Sequence, residues 1–302
     1  MISSLFYVNI SGSGKGIIVP LIMVLGGYDL AANWMKWMTE LTSRKWISRL
    51  MGRFSHSQAS RYLIPWFAKS YGIPLHEAEK ELKEYRTLNQ FFTRKLKSGM
   101  RPIAQLEGGL ISPVDALITF MGEIRSGTIL NVKGQDYTLK DLLNHSPHAQ
   151  TYEHGYAFVL YLSPTDYHRI HAPVAGTLVE SEHIKGRVYP VNDFSMRNMK
   201  YVLSRNERLI TYISHERGEI AVVKVGAMNV SSIRYTDDQA EIWNQGDDLA
   251  YFEFGSTVVL LTENGTFEPS PEHAIGQKVK MGELLGRFYP PSKLPEGPVT
   301  LR

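Results

Sequence analysis

The chain has 302 residues, of which 43% are apolar and 21% charged, which excludes global disorder and allows one large buried core or two smaller ones. It has no cysteine, which excludes disulfides, thiolate metal sites and cysteine nucleophiles. The net charge of +3 is uneven: residues 1–100 carry 14 Lys and Arg against 6 Asp and Glu, residues 101–302 carry 19 against 24, and a basic, aromatic-rich front on a mildly acidic body suits an anionic surface, membrane or nucleic acid, or simply a solvated basic face.

No stretch reaches the about 20 apolar residues of a spanning helix. Ile17 to Leu25 follows Lys15 like a short signal segment, but Gly26-Gly27-Tyr28-Asp29 reads as a turn and no convincing cleavage site follows. Residues 1–34 are therefore left as an unassigned extension, with Met35 or Met38 as an alternative working start. Residues 35–100 read as a helical, basic, amphipathic section. Trp34, Met35, Trp37, Met38 and Leu41, then Trp46, Ile47, Leu50 and Phe54, recur at helical spacing among Lys36, Arg44, Lys45, Arg49, Arg53 and Arg61. That pattern fits a helix in a lipid headgroup layer or one packed on the body. Pro65 would kink or start a helix. After Pro74, Glu77, Glu79, Glu81 and Glu84 with Lys80 and Lys83 offer ion pairs along a helix face.

From residue 110 the pattern changes to short apolar runs between Gly, Pro and Asn. Leu110-Ile111, Ala116 to Met121, Thr128 to Val132, Tyr156 to Leu162, Gly176 to Val179, Leu209 to Ile213, Ile220 to Val225 and Val258 to Leu261 read as strands, and Thr138 to Leu143 as a short helix. The expected fold is α+β: a helical N-terminal section over 35–100, then a β-rich barrel or sandwich over 101–302. The glycine hairpin Gly276 to Gly286 and the stretch His171 to Leu178 resemble the halves of a biotinyl/lipoyl-type barrel-sandwich. No Met-Lys-Met hairpin is present, so a carrier function is not implied.

Three stretches could carry chemistry. Ser112-Pro113-Val114-Asp115-Ala116 sets a carboxylate between a proline turn and an apolar strand; such an Asp is most often a turn residue, and a buried one needs a partner such as histidine. Leu160 to Gly176 holds His168 and His171 with Asp166 and Arg169 at a strand end. A zinc site is disfavoured there, since no helix-borne His-Glu-x-x-His pattern exists, and a polar pocket is favoured. In Tyr251 to Leu261, two apolar runs are broken by Gly255-Ser256-Thr257. That break is a bulge or turn, or else a reactive Gly-Ser peptide bond, and a reactive serine needs a base and an orienting group. Arg205-Asn206-Glu207-Arg208 reads as an unremarkable polar turn.

Ser-Pro-Val-Asp at 112–115, Tyr-Leu-Ser-Pro-x-Asp-Tyr-His-Arg-Ile-His at 161–171, Val-Gly-Ala-Met at 225–228 and Phe-Gly-Ser-Thr-Val at 254–258 together resemble the phosphatidylserine decarboxylases, a family of pyruvoyl-dependent proenzymes. The motifs occur in the family's order over most of residues 87–288; position 254 is Phe where many members have Leu. The resemblance implies self-cleavage at Gly255-Ser256 into chains 1–255 and 256–302, with Asp115, His171 and Ser256 as the triad. Asp115 would orient His171, and His171 would take the Ser256 hydroxyl proton. It implies a pyruvoyl cofactor made from Ser256, with no metal and no pyridoxal phosphate, to which the serine headgroup amine adds as a Schiff base. His168 is by family analogy the candidate proton donor or carboxylate-positioning group. The implied partners are phosphatidylserine in an anionic membrane and the two cleavage chains as a heterodimer, open to further dimerisation. The implied location is peripheral, on the cytoplasmic face of the cell membrane, in phospholipid biosynthesis. The competing readings are an Asp-His-Ser serine hydrolase, disfavoured because Ser256 lacks a Gly-x-Ser-x-Gly elbow, and a non-enzymatic membrane-associated barrel-sandwich module. A nucleic-acid binder ranks last, because no base-reading motif is present.

Overall fold

A computed structural model describes residues 52–132, 135–191, 198–227, 233–253 and 256–290. The expectations for residues 1–51, for Met228 and for Phe254-Gly255 fall outside the described residues.

The helical section is a set of short pieces rather than one long rod. A 3-10 turn over Gln58–Leu63 runs into α1 (Ile64–Tyr71), whose first turn contains Pro65, where a missing N–H loses no bond. Gly72, left-handed at φ 62°, ends it. Ile64, Phe67 and Ala68 pack with Ile73, Tyr85, Leu88, Phe91 and Phe92 in a small core of their own. The acidic stretch corrects the expectation of ion pairs along a helix face: only the 3-10 turns Leu75–Glu77 and Leu82–Glu84 form. Extended Ala78, bridged to Leu96, interrupts them, and Glu77 turns away to Arg101. α2 (Leu88–Phe92) begins at Thr87, whose hydroxyl accepts from the Gln90 N–H at 3.2 Å.

The remainder is mostly strand. β1 (Gly109–Ile111), β2 (Ala116–Glu123), β3 (Thr128–Val132) and β4 (Gln135–Thr138) lead into α3 (Leu139–Leu142). β5 (Tyr156–Leu162), β6 (Arg169–His171) and β7 (Gly176–Ile184) precede α4 (Val202–Arg205). Then come β8 (Arg208–His215), β9 (Gly218–Gly226), β10 (Ile233–Tyr235), β11 (Ile242–Trp243), β12 (Asp248–Phe252), β13 (Ser256–Thr262), β14 (Phe267–Pro269), β15 (Lys278–Val279) and β16 (Leu284–Phe288). Every strand expected from an apolar run is present.

The largest sheet is antiparallel, in the order β11-β7-β8-β9-β13-β5-β2-β15. β13 lies inside it, and all seven of its residues pair with β5 on one side and β9 on the other. All seven are buried. Burial on both faces is why Val258 to Leu261 is an unbroken apolar run rather than an alternating one. Two three-stranded sheets, β10-β12-β6 and β1-β16-β14, share this core: Ile170, Ala250 and Phe252 of the first and Leu110, Leu285 and Phe288 of the second pack in the same cluster as β13. The large sheet ends on the two-residue strands β11 and β15, so it does not close. The barrel part of the expected fold is thereby corrected. The described residues form open antiparallel sheets around one core, with the helical section beside them.

Candidate active site

Ser256 is the first residue of β13, opposite Leu162 at the end of β5 and Gly226 at the end of β9. Directly paired residues share a face, so three of the sequence motifs meet at one end of the sheet. Gly226 brings no side chain to that meeting point. Its backbone is fixed by Asn206, fully buried, whose Nδ2 donates to the Gly226 and Tyr189 carbonyls (both 2.8 Å). Ser256 has no exposed surface, and its Oγ has no hydrogen-bond partner among the described residues. Leaving a hydroxyl buried and unbonded costs about 1–3 kcal/mol, so this one calls for a functional reason.

His168 precedes β6 and His171 is its last residue. Both are buried. His168 Nδ1 lies 2.9 Å from the Asp166 carbonyl, which fixes the proton on Nδ1 and leaves Nε2 a bare acceptor. That Nε2 is buried and unpartnered among the described residues. Burial pushes the His168 pKa down to about 3; the bond to Asp166 opposes this and the nearby Arg94 charge adds to it. The turn is held by Asp166, which accepts from the Ser163 N–H (2.8 Å) and hydroxyl (2.6 Å). The Phe92 ring covers the imidazole at 4.0 Å between centroids.

His171 Nδ1 donates to the Gly246 carbonyl at 2.8 Å, and Nε2 accepts from the Tyr167 hydroxyl at 3.0 Å. Burial lowers its pKa, against the Gly246 bond and the charges of Asp248 and Asp115. The ring is therefore neutral, with its acceptor nitrogen occupied by Tyr167.

Asp115 lies in the turn between β1 and β2, and this turn is tied to β6 by a bond from the His171 N–H to the Pro113 carbonyl (2.9 Å). Its carboxylate does not bond the His171 ring. It accepts from Arg101 Nε (2.8 Å) and from the Met281 N–H (2.9 Å). Arg101 also donates to Glu77 at 2.8 Å. Burial works against the Arg101 charge, but its two carboxylate partners hold its pKa above the ordinary arginine value. Asp115 reaches His171 through charge, which favours the imidazolium without touching it.

The fold thus brings His168, His171 and Asp115 into one buried neighbourhood, with Ser256 at the sheet end beside Leu162, the residue before the Ser163–Asp166 turn. Gly255 lies outside the described residues. Three positioning residues escaped the sequence reading: Arg101, Tyr167 and Asn206. Tyr167 lay within the densest motif. Asn206 looked like an ordinary turn, and Arg101 was one basic residue beside a loop proline; only tertiary contact distinguishes them.

Comparison with known proteins identifies the family. A family model described as phosphatidylserine decarboxylase matches residues 88–287. The chain is 42% identical over 255 residues to the phosphatidylserine decarboxylase proenzyme of Geobacillus kaustophilus (strain HTA426), covering 83% of this chain and 96% of that protein. It is 41% identical over 256 residues to the proenzyme of Anoxybacillus flavithermus (strain DSM 21510 / WK1), covering 83% and 96%. It is 41% identical over 248 residues to that of Bacillus thuringiensis (strain Al Hakam), covering 82% and 94%. The chain belongs to the phosphatidylserine decarboxylase family.

Proposed function

We propose that this protein decarboxylates phosphatidylserine to phosphatidylethanolamine, using a pyruvoyl group that it makes from Ser256 by cutting the Gly255–Ser256 bond. The observation that carries the reading is the unbonded Ser256 hydroxyl, fully buried at the convergence of the family's motifs. The site suits a group made from Ser256 itself: Ser256 is fully buried, Gly226 adds no side chain, and two neutral imidazoles lie in the same buried neighbourhood.

In the self-cleavage, Ser256 Oγ attacks the Gly255 carbonyl, and the upstream chain moves from nitrogen to oxygen as an ester. Elimination, with loss of the Ser256 α-proton, releases residues 1–255 as a carboxylate and leaves a dehydroalanine at 256, whose imine form takes up water and expels ammonia to give the pyruvoyl. His171 can take the serine proton at Nε2, the atom that now accepts from Tyr167. Asp115 and Asp248 favour the resulting imidazolium by charge. When present, the pyruvoyl ketone supplies the electron sink for loss of carbon dioxide. His168, with Nδ1–H held on Asp166, can take a proton at Nε2 and hand it back within a buried site.

The two chains would remain a heterodimer, because β13 of the smaller chain lies between β5 and β9 of the larger one. The substrate lies in a bilayer, and no helix among the described residues is long and apolar enough to cross one. Tyr62 (81% exposed), Trp66 (64%) and Leu63, with exposed Arg53, Arg61 and Lys69, support docking as a peripheral protein on an anionic cytoplasmic membrane face.

The test is turnover. Purified protein given phosphatidylserine in detergent micelles should release carbon dioxide and yield phosphatidylethanolamine, and carbonyl reagents such as hydroxylamine should stop it. Fluorophosphonate labelling of Ser256 without carbon dioxide release would support the serine hydrolase instead. An intact chain inert to both reagents would support the non-enzymatic module.

A further inference from the structure

We propose that Arg94 binds the phosphodiester of the substrate headgroup, an inference that rests on the decarboxylase reading above. Arg94 is 3% exposed, yet its Nε and Nη1 have no hydrogen-bond partner and no carboxylate pairs with it among the described residues. Its close neighbour is the Phe91 ring, 5.4 Å from the guanidinium carbon. The other buried arginines hold carboxylates or carbonyls, although Arg208 Nε is also without a partner among the described residues. Arg101 holds Asp115 and Glu77, Arg169 holds Asp248, and Arg208 donates to the carbonyls of Asn206 (2.8 Å) and Asp141 (3.2 Å). A guanidinium remains protonated inside a protein. A buried charge without a counter-charge costs several kcal/mol, so the site lacks an anion that a ligand could supply.

Position points to which ligand. Arg94 lines a cavity of about 600 Å³ together with Lys80, Arg86 and Lys95, whose charges outweigh those of Glu79 and Glu84. It also lies close to His168. Two residues earlier, the Phe92 ring lies tilted against His168 with centroids 4.0 Å apart, and the Thr93 carbonyl accepts from Arg169 Nη1 at 3.2 Å. Arg94 is close enough for its charge to oppose protonation of His168.

The headgroup offers two anions, a carboxylate and a phosphodiester. A guanidinium clamped on the carboxylate would stabilise the ground state more than a transition state in which that charge is leaving, and so would slow the reaction. The phosphodiester keeps its charge from substrate to product, and its oxygens match the planar fork of an arginine. Binding it equally throughout lowers KM and leaves kcat largely alone.

The test uses the full, self-processed enzyme with phosphatidylserine in detergent micelles and sn-glycero-3-phosphoethanolamine as a competing ligand. Splitting into two chains reports folding of each variant. Arg94→Gln should raise KM by about tenfold or more and weaken inhibition by glycerophosphoethanolamine by the same factor, with kcat changed much less. Arg94→Lys should fall between. An unchanged KM in Arg94→Gln, with wild type active, overturns the Arg94 assignment and leaves the decarboxylase reading standing; an inactive wild type that splits normally overturns the decarboxylase reading. A raised KM with unchanged inhibition puts Arg94 on the carboxylate and overturns the proposal. The wild-type protein answers independently of any variant: crystals soaked with glycerophosphoethanolamine should show its phosphate on the Arg94 guanidinium, and a phosphate bound elsewhere, or none, overturns it.

Discussion

His168 and His171 lie three residues apart, both neutral and both donating from Nδ1 to a backbone carbonyl, yet they are not equivalent. Nε2 of His171 is occupied by Tyr167, while that of His168 is bare. The bare one is ready to exchange protons. His168→Ala should therefore cut turnover by the processed enzyme about 100-fold or more, measured as carbon dioxide release; unchanged turnover would remove His168 from the mechanism. Asp115 depends on Arg101, which it shares with Glu77. Arg101→Ala would leave buried Asp115 and half-buried Glu77 without the guanidinium they share. It should destabilise the protein by about 3–5 kcal/mol and stop or slow self-cleavage, read as the urea midpoint and the fraction of split chain. The motif residues were legible in the sequence because chemistry restricts their types. The arginine clamp was not, because Arg101 and Asp115 are joined only by the fold, and the sequence suggested histidine as the carboxylate's direct partner.

Among the elements, β13 aims Ser256, and its register is held over seven pairs on each side. Gly155 guards the far end of the same ladder: a Cβ there would lie 1.9 Å from the Thr262 carbonyl oxygen. Gly155→Ala should push β5 and β13 apart at that end and cost about 1–3 kcal/mol, seen as a lower urea midpoint. Apolar runs marked the long strands because those are buried on both faces. β6 was missed because Arg169 and His171 are spent on pairing and the site rather than on an apolar face. The acidic stretch after Pro74 was misread for a related reason: charge spacing suits a helix, but the Ala78–Leu96 bridge and the Glu77–Arg101 bond override it. In α1 and the turn before it, Trp66 and Tyr62 are largely exposed. Replacing both with alanine should leave self-cleavage intact and reduce flotation with anionic liposomes; unchanged flotation would remove this face from membrane docking.

The whole molecule holds several imidazoles in their neutral form. Burial lowers His168 to about 3 and His215 to about 4, and lowers His171 as well. An unfolded histidine titrates near 6.5. Below about pH 6.5 the unfolded chain therefore binds protons that the folded chain refuses, so stability falls as pH drops toward 4. Urea midpoints measured from pH 7 to pH 4 should decline steadily, and a flat profile would mean that these rings are more open to water than the structure has them. The mixture of short helices and strands was legible from the change in periodicity near residue 100. Openness of the large sheet was not, because closure is decided by what the two-residue edge strands leave unpaired. The same packing puts β13 between β5 and β9, so the proposed cut before Ser256 need not separate the parts.

The most direct measurement is the intact mass of the purified protein under denaturing conditions. Self-processing predicts two chains that break between Gly255 and Ser256, the smaller without a free amino terminus. A single folded chain of 34.2 kDa that stays whole on incubation with lipid would contradict it.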